Sequence, residues 1–324
     1  MSNTNGFDGF RPDVHQLFAQ QSAKLPARRD AADSGIGLDP LWGLRARARL
    51  YGLGFLIKTG IHERLIHANV RLDWLREFQD YWVNELGNRP INPHEFHFLH
   101  GVYRQRIGVP AVNLDALPQR QGWLDPRSVY QLFHHQYRLA LHPLQARRFV
   151  PLIRRGSAVC EYGCGLAPIT TGLIRYYRDL KLRLTCADIP NLLFHFTRWR
   201  FHTHPFVRML TIESDGKPPF DEPFDLVVCL QALKYIPNPV AVIEQIDRFL
   251  KPGGHLAFDY ARADVPEDNP RARERFEALR YIAERFRVIE GDVRLDGGSV
   301  PLTIVRKPSS RALADARPGR RISR

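Results

Sequence analysis

The stretch that decides the fold is Ala158-Val159-Cys160-Glu161-Tyr162-Gly163-Cys164-Gly165-Leu166-Ala167-Pro168. Its apolar first half is typical of a buried strand that ends in the acidic Glu161. Gly163 and Gly165 then predict a tight turn, because glycine has no Cβ and adopts positive φ readily. A helix is expected to begin directly after this turn. The stretch therefore predicts a strand, a glycine loop and a helix in succession.

The chain on either side of this stretch alternates between short apolar runs and helical patterns. Such alternation predicts a doubly wound, Rossmann-like α/β fold with a mostly parallel sheet and helices on both faces. A closing strand pair around Gly297-Gly298 predicts an antiparallel strand at one edge of the sheet. The further strands are expected at 182–187, 206–212, 225–230, 255–260, 287–293 and 300–306, and the helices at 142–155, 191–202, 239–250 and 270–284.

The chain is expected to divide into four parts. Residues 1–40 are polar and lack periodicity, which indicates a flexible leader. Residues 41–142 are rich in aromatic side chains at helical spacing, which predicts a helical N-terminal domain that shapes the acceptor site or acts as a lid. The sheet domain is expected over 143–307, and the basic segment 308–324 is expected to be a disordered tail.

Composition limits the classes of function. The net charge is +13, but seven basic residues and one acid from Arg306 onward supply +6 of it, which favours a solvated tail over a nucleic-acid surface. The sequence shows neither an apolar signal segment nor a stretch long enough to span a bilayer. The four cysteines, which lack a CxxC spacing, are expected to be reduced thiols of a cytoplasmic protein.

The ligand of such a sheet lies beyond the carboxyl ends of the strands, near the first strand. This edge holds Glu161, Asp188, the segment near Asp215 and Gln231. A dinucleotide would need a third glycine where Pro168 stands, and Glu161 would repel its pyrophosphate. A ligand with positive charge, such as a sulfonium or an amino acid, suits the acidic strand end better. Asp188 is placed to accept hydrogen bonds from ribose hydroxyls.

Four segments in this order and spacing resemble the class I S-adenosylmethionine-dependent methyltransferases, namely 159–167, 187–190, 219–239 and 250–260. The resemblance implies S-adenosylmethionine as the cofactor, with a loop around its methionine portion and acids at its ribose and adenine amine. Ala167 replaces the third glycine of the family, and the adenine acid is either Glu213 or the preferred Asp215. The residues implied to bind the cofactor are Glu161, Tyr162, Gly163, Cys164, Gly165, Asp188, Ile189, Asp215 and Gln231.

Methyl transfer is an in-line displacement in which the enzyme mainly aligns the reactants and excludes water. A hydroxyl acceptor gains from a general base, for which Tyr235, Asp259 and Tyr260 are candidates, although packing roles explain each of them as well. The Asn/Asp-Pro-Pro-Tyr motif of DNA and amino-group methyltransferases is absent after the fourth strand, where Leu230-Gln231-Ala232-Leu233 stands. A small-molecule acceptor methylated on oxygen, such as a sugar, is therefore expected.

Three alternatives stay open beside this hypothesis. The positive charge suits an RNA methyltransferase, the lack of a clear base suits a non-catalytic binding module, and the glycine turn alone would suit a nicotinamide-dependent oxidoreductase. No metal site is predicted. His62 and His67 are five residues apart, so they would not share the helix face that zinc needs. The histidines at 94, 97 and 100 are more simply explained as hydrogen-bonded, partly buried side chains.

Overall fold

The structure is a computed structural model, and it describes residues 73–90, 131–132, 135–136, 145–213, 216–217, 219–260 and 270–309. The chain divides into two units. The first consists of Met1–Pro143 with Asn191–Trp199, and the second of Leu144–Pro190 with Arg200–Arg324. The leader 1–40, most of 41–142, the tail beyond residue 309, Asp215 and the five histidines weighed as metal ligands all lie outside the described residues. The four-part division of the chain stays a prediction.

The second unit is built on a seven-stranded sheet in the order β3-β2-β1-β4-β5-β7-β6. Strands β1 to β5 run parallel, whereas β7 is antiparallel to both β5 and β6. The predicted mostly parallel sheet with an antiparallel strand at its margin is confirmed, and β7 lies between β5 and the outermost β6. The strands are β1 Ala158–Tyr162, β2 Arg183–Asp188, β3 Val207–Thr211, β4 Phe224–Cys229, β5 Leu250–Tyr260, β6 Arg287–Glu290 and β7 Val300–Arg306.

The helices agree with the sequence pattern, with one difference. The segment expected as an α-helix at 142–155 is a 3₁₀-helix, and Pro151 inside it has no N–H to donate to an α-helical ladder. Asn238 caps its helix as expected, since its Oδ1 accepts from Ala241 N at 3.0 Å. The α-helices are α1 Asp73–Asp80, α2 Pro168–Tyr176, α3 Leu192–Phe201, α4 Pro239–Phe249 and α5 Pro270–Arg285, and the shorter elements are the π-helix Tyr81–Glu85 and the 3₁₀-helices Gln145–Leu152, Arg178–Leu180 and Leu233–Tyr235.

Apolar side chains cover both faces of the sheet. Successive residues of the central strands alternate between two core clusters, so that Val227 contributes to one and Val228 to the other. All five residues of β1 are buried. β1 lies between β2 and β4. The chain adds β2 and β3 on one side of β1 and then returns to add β4 and β5 on the other side. The carboxyl ends of these three strands form the crevice where ligands bind in such sheets.

In the first unit, the structure describes residues 73–90, 131–132, 135–136 and 191–199. Phe78, Tyr81 and Trp82 are fully buried here. The Tyr81 ring packs edge-on against Phe196 with a centroid distance of 4.8 Å, and its hydroxyl hydrogen-bonds His195 Nδ1 at 2.7 Å. The aromatic residues at helical spacing thus form a core in the part of this segment that the structure describes.

Two further properties of the chain concern membrane span by its helices and disulfide pairing of its cysteines. None of the helices in the described ranges combines the length and the apolar character that crossing a membrane requires. The four cysteines are buried, and each is free of a disulfide.

Candidate functional site

The loop between β1 and α2 has an unusual backbone. Gly163, Gly165 and Ala167 adopt positive φ angles of 63°, 51° and 49°. The loop turns back over the end of β2, because the amides of Gly163 and Cys164 donate to the carbonyl of Ala187 at 2.8 and 3.2 Å. Glycine relieves the backbone strain at two of the three left-handed positions, while Ala167 carries it without that relief.

Gly163 also leaves no room for a side chain. An ideal Cβ on Gly163 would lie closer than 3.0 Å to Cβ of Ala232, which belongs to the loop after β4. Gln231, which precedes Ala232, has a left-handed backbone conformation with a φ of 55°. The loops after β1 and β4 therefore touch directly at the carboxyl edge of the sheet.

Asp188 joins the end of β2 to the glycine loop. Its Oδ2 accepts from Gly165 N at 2.6 Å, and its Oδ1 accepts from Ile189 N at 2.7 Å. The side chain is buried, and burial raises the pKa of Asp188 to about 6, although both N–H donors favour the charged form. The structure thus brings together Gly165, Asp188 and Ile189, three of the residues implied to bind the cofactor, and Ile189 remains exposed.

Glu161 serves the helix that follows the loop. Its two carboxyl oxygens accept from Ile169 N at 3.1 Å and from Thr170 N at 2.8 Å, in the first turn of α2. Burial raises the pKa of Glu161 to about 7, against the lowering effect of these hydrogen bonds. A negative side chain at this position also complements the helix dipole.

This arrangement bears on the dinucleotide alternative. Pro168 has no N–H, Glu161 occupies the amides of residues 169 and 170, and Thr171 N donates to Ala167 O at 2.9 Å. A pyrophosphate at the start of α2 would need those same amides. The first turn of α2 therefore has no N–H group left for a phosphate, which argues against a nicotinamide dinucleotide.

Tyr162 and Cys164 point into the protein. Tyr162 is buried, and its hydroxyl donates to the carbonyl of Gly216, just after β3. Burial raises the pKa of the Cys164 thiol well above its ordinary value. Glu213, one of the two acids considered for the adenine amine, is exposed, and Asp215 lies outside the described residues. The side chains of Tyr162 and Cys164 are therefore buried rather than exposed at the surface of the loop.

The three base candidates occupy three different environments. Tyr235 is exposed, with Lys234 Nζ 4.7 Å from its ring centroid. Asp259 is half-buried, and its Oδ1 accepts from Gln231 N at 2.6 Å. Tyr260 is buried beside the Arg275 guanidinium, and burial raises its pKa to about 12. The three side chains thus differ in exposure and in the groups that they contact.

Two contributors escaped the sequence reasoning. Arg200 on α3 donates from Nη1 to Leu166 O at 3.0 Å and thereby anchors the outer part of the glycine loop. Nothing in the sequence indicates this contact, which joins residues 34 positions apart. Ala232 is the small side chain against Gly163, and its size in the run Leu230-Gln231-Ala232-Leu233 was the only signal available.

The polar groups at this edge of the sheet fit a cationic nucleoside ligand. Two buried carboxyls and the backbone of a glycine-containing loop surround the ends of β1 and β2, and the helix start that a phosphate would use is occupied. Within the ranges that the structure describes, no group of three or more histidine, cysteine, aspartate or glutamate side chains could hold a metal ion.

Comparison with known proteins identifies the domain. The family described as a methyltransferase domain matches residues 132–291. The chain carries a class I S-adenosylmethionine-dependent methyltransferase domain. The match to this methyltransferase domain includes the glycine loop, Asp188 and the loop after β4, which are the parts that the geometry brings together.

Relatives of the methyltransferase domain include two proteins named ubiquinone biosynthesis O-methyltransferase. That of Alkalilimnicola ehrlichii is 25% identical over 142 residues, covering 42% of this chain and 53% of the relative. That of Xylella fastidiosa is 28% identical over 141 residues, covering 42% and 52%. The chain thus spans about half the length of these relatives. Human N-acetylserotonin methyltransferase, solved in complex with S-adenosylmethionine, matches 67% of each chain at 16% identity with a TM-score of 0.42.

Proposed function

We propose that this protein transfers the methyl group of S-adenosylmethionine to a hydroxyl oxygen of a small molecule. The observation that carries the proposal is the occupied first turn of α2 within a matched methyltransferase domain. Glu161 takes the amides that a pyrophosphate would need, and the edge of the sheet instead offers buried carboxyls. Such a site suits a nucleoside without phosphates that carries positive charge.

Most of the predicted cofactor residues then have a defined part in the proposal. The backbone from Glu161 to Gly165 lines the methionine portion. Asp188 can accept from ribose hydroxyls while it holds Gly165 and Ile189, because each carboxylate oxygen has a second lone pair. Gln231 lines the site from the β4 side, and Asp215 is proposed at the adenine amine. When bound, S-adenosylmethionine supplies an activated methyl group, and the protein aligns the acceptor and excludes water.

The oxygen acceptor rests on two supports. The matched relatives are named as O-methyltransferases of ubiquinone biosynthesis. The loop after β4 also lacks the Asn/Asp-Pro-Pro-Tyr motif expected for an amino-group acceptor. Tyr235 is the base candidate that reaches solvent at this edge, at 65% exposure. A cytoplasmic location, supported by four free cysteines, belongs to the same proposal.

Calorimetry with the full chain tests the cofactor. We expect S-adenosylmethionine and S-adenosylhomocysteine to bind and NAD to show no heat of binding. Formation of S-adenosylhomocysteine is then measured with a catechol, a phenol, a sugar and a matched primary amine. Turnover with a hydroxyl compound and none with the amine supports the proposal. NAD binding without binding of either sulfur compound would overturn it, and cofactor binding without turnover of any acceptor would favour a non-catalytic binding module.

RNA methylation is the second candidate, favoured by the net charge of +13. Deletion of residues 308–324 separates the two functions. A folded RNA enzyme should keep a steep dependence of RNA affinity on salt after this deletion, because phosphate contacts release counterions. We expect the truncated protein to lose most of its RNA affinity and to keep its affinity for S-adenosylhomocysteine.

A further inference from the structure

Asp259 at the end of β5 makes a contact that its candidacy as a base does not explain. Its Oδ1 accepts the backbone N–H of Gln231 at 2.6 Å, in the loop that follows the neighbouring strand β4. A carboxylate that accepts from a backbone amide forms one of the stronger hydrogen bonds in proteins. The contact therefore joins the end of β5 to the loop after β4.

The residue that Asp259 holds is conformationally strained. Gln231 has a φ of 55°, in the left-handed region that costs a non-glycine residue roughly 1–2 kcal/mol. It is followed by Ala232, whose Cβ lies closer than 3.0 Å to the position that a Cβ on Gly163 would occupy. If Gln231 left this conformation, Ala232 would move away from Gly163.

We infer that Asp259 is a positioning residue, which holds Gln231 in its left-handed conformation so that Ala232 supports the glycine loop against the cofactor. The inference rests on the proposed function, since it assigns Asp259 to the assembly of the cofactor site and removes it from the set of bases. Asp259 acts through the backbone of Gln231 and touches neither reactant. The β4 and β5 loops are thereby set in one arrangement before the cofactor binds.

The consequence for binding follows from population arithmetic. The apparent affinity of a site falls in proportion to the fraction of molecules in the competent conformation. Removal of the carboxylate in Asp259→Ala should release the strain at Gln231 and lower the affinity for S-adenosylhomocysteine about tenfold. Asp259→Asn keeps an acceptor oxygen and should retain most of the affinity.

A double-mutant cycle with Gln231→Gly distinguishes positioning from a general loss of stability. Glycine adopts positive φ without help, so Asp259→Ala should weaken S-adenosylhomocysteine binding less than about threefold in the Gln231→Gly background. Within each background the side chain at position 231 is the same with and without Asp259→Ala, so its direct contribution to binding cancels. An equal loss in the two backgrounds would overturn the inference.

Asp225 provides the matched control at the opposite end of the same strands. Its Oδ2 also accepts a backbone amide, that of Ala158 at 2.8 Å, and pairs with Lys251 Nζ at 2.7 Å. Asp225→Ala should lower the Tm and leave the affinity for S-adenosylhomocysteine unchanged. A loss of affinity in this variant equal to that of Asp259→Ala would show that the effect comes from stability alone.

Hydrogen exchange of residues 229–235 gives a readout that needs no ligand. Asp259→Ala should accelerate exchange at Gln231, and Asp225→Ala should leave it unchanged. If the wild type fails to bind S-adenosylhomocysteine while this exchange pattern holds, the proposed function is wrong and the role of Asp259 in the loop stands. If the wild type binds and Asp259→Ala changes neither exchange nor affinity, the positioning role is wrong.

Discussion

Substitution of Gly163 by alanine tests the contact between the loops after β1 and β4. Gly163 has a φ of 63°, and a Cβ at this position would lie closer than 3.0 Å to Cβ of Ala232. The left-handed conformation costs alanine roughly 1–2 kcal/mol. Overpacking adds typically about 1–3 kcal/mol. We therefore expect Gly163→Ala to lower the free energy of unfolding by roughly 2–5 kcal/mol, as measured by urea denaturation.

The structure offers one control for the cost of the left-handed conformation and another for the cost of overpacking. Gly156 has a φ of 78°, but a Cβ there would meet no atom within 4 Å, so Gly156→Ala reports the conformational part alone. The double variant Gly163→Ala/Ala232→Gly removes the clash and keeps the strained φ. It should recover about 1–3 kcal/mol after correction for Ala232→Gly by itself.

Two outcomes would refute this reasoning. If Gly163→Ala destabilises the protein no more than Gly156→Ala does, the two loops are not in contact. If Ala232→Gly gives no recovery, the clash lies elsewhere. Affinity for S-adenosylhomocysteine should fall in Gly163→Ala and stay unchanged in Gly156→Ala, because only the first substitution displaces the loop that lines the proposed site.

Two further predictions concern residues 161 and 162. The pKa of Glu161 rises from its usual 4.5 to about 7 on folding, so the stabilisation that it brings is present at low pH and is lost as the pH rises through 7. Glu161→Gln removes this titration and should flatten the change in the free energy of unfolding between pH 5 and pH 8 by up to about 3 kcal/mol; an unchanged slope would contradict this origin. Tyr162→Phe should cost about 1–3 kcal/mol in urea denaturation, because the Gly216 carbonyl loses its donor, whereas the exposed Tyr235→Phe should change stability by less than about 0.5 kcal/mol.

Local sequence patterns were sufficient for the order of elements but not for all of their pairings. The strand, the glycine loop and the helix around Gly163 can be predicted from an apolar run followed by glycine and proline residues. These signals are properties of residues adjacent in the sequence. The placement of β7 between β5 and β6 depends on which strand edge the closing hairpin meets, and the alternation pattern does not contain that information. Pro151 shows the same limit locally, since an apolar helical period remained while the hydrogen-bonding pattern changed.

The candidate site divides in the same way. The position of Asp188 beside the glycine loop follows from topology, because the carboxyl ends of neighbouring parallel strands meet at one edge. The partners of its oxygens do not follow, nor do those of Glu161 and Asp259, since each accepts from a backbone amide that only the folded loop presents. The sequence shows that an acidic residue stands at the end of the strand, but only the folded structure shows which backbone N–H group donates to it.

The two buried carboxyls also give the proposed site an electrostatic asymmetry. Burial raises the pKa of Glu161 to about 7 and that of Asp188 to about 6, so their charged forms are poorly solvated near neutral pH. A cation beside them lowers the free energy of ionisation, and a neutral ligand does not. Under the proposed function, the ligand before methyl transfer carries a sulfonium and the one after it a thioether. The affinity for S-adenosylmethionine relative to that for S-adenosylhomocysteine should therefore rise as the pH rises from 6 to 8. This change favours replacement of the product S-adenosylhomocysteine by a new molecule of S-adenosylmethionine.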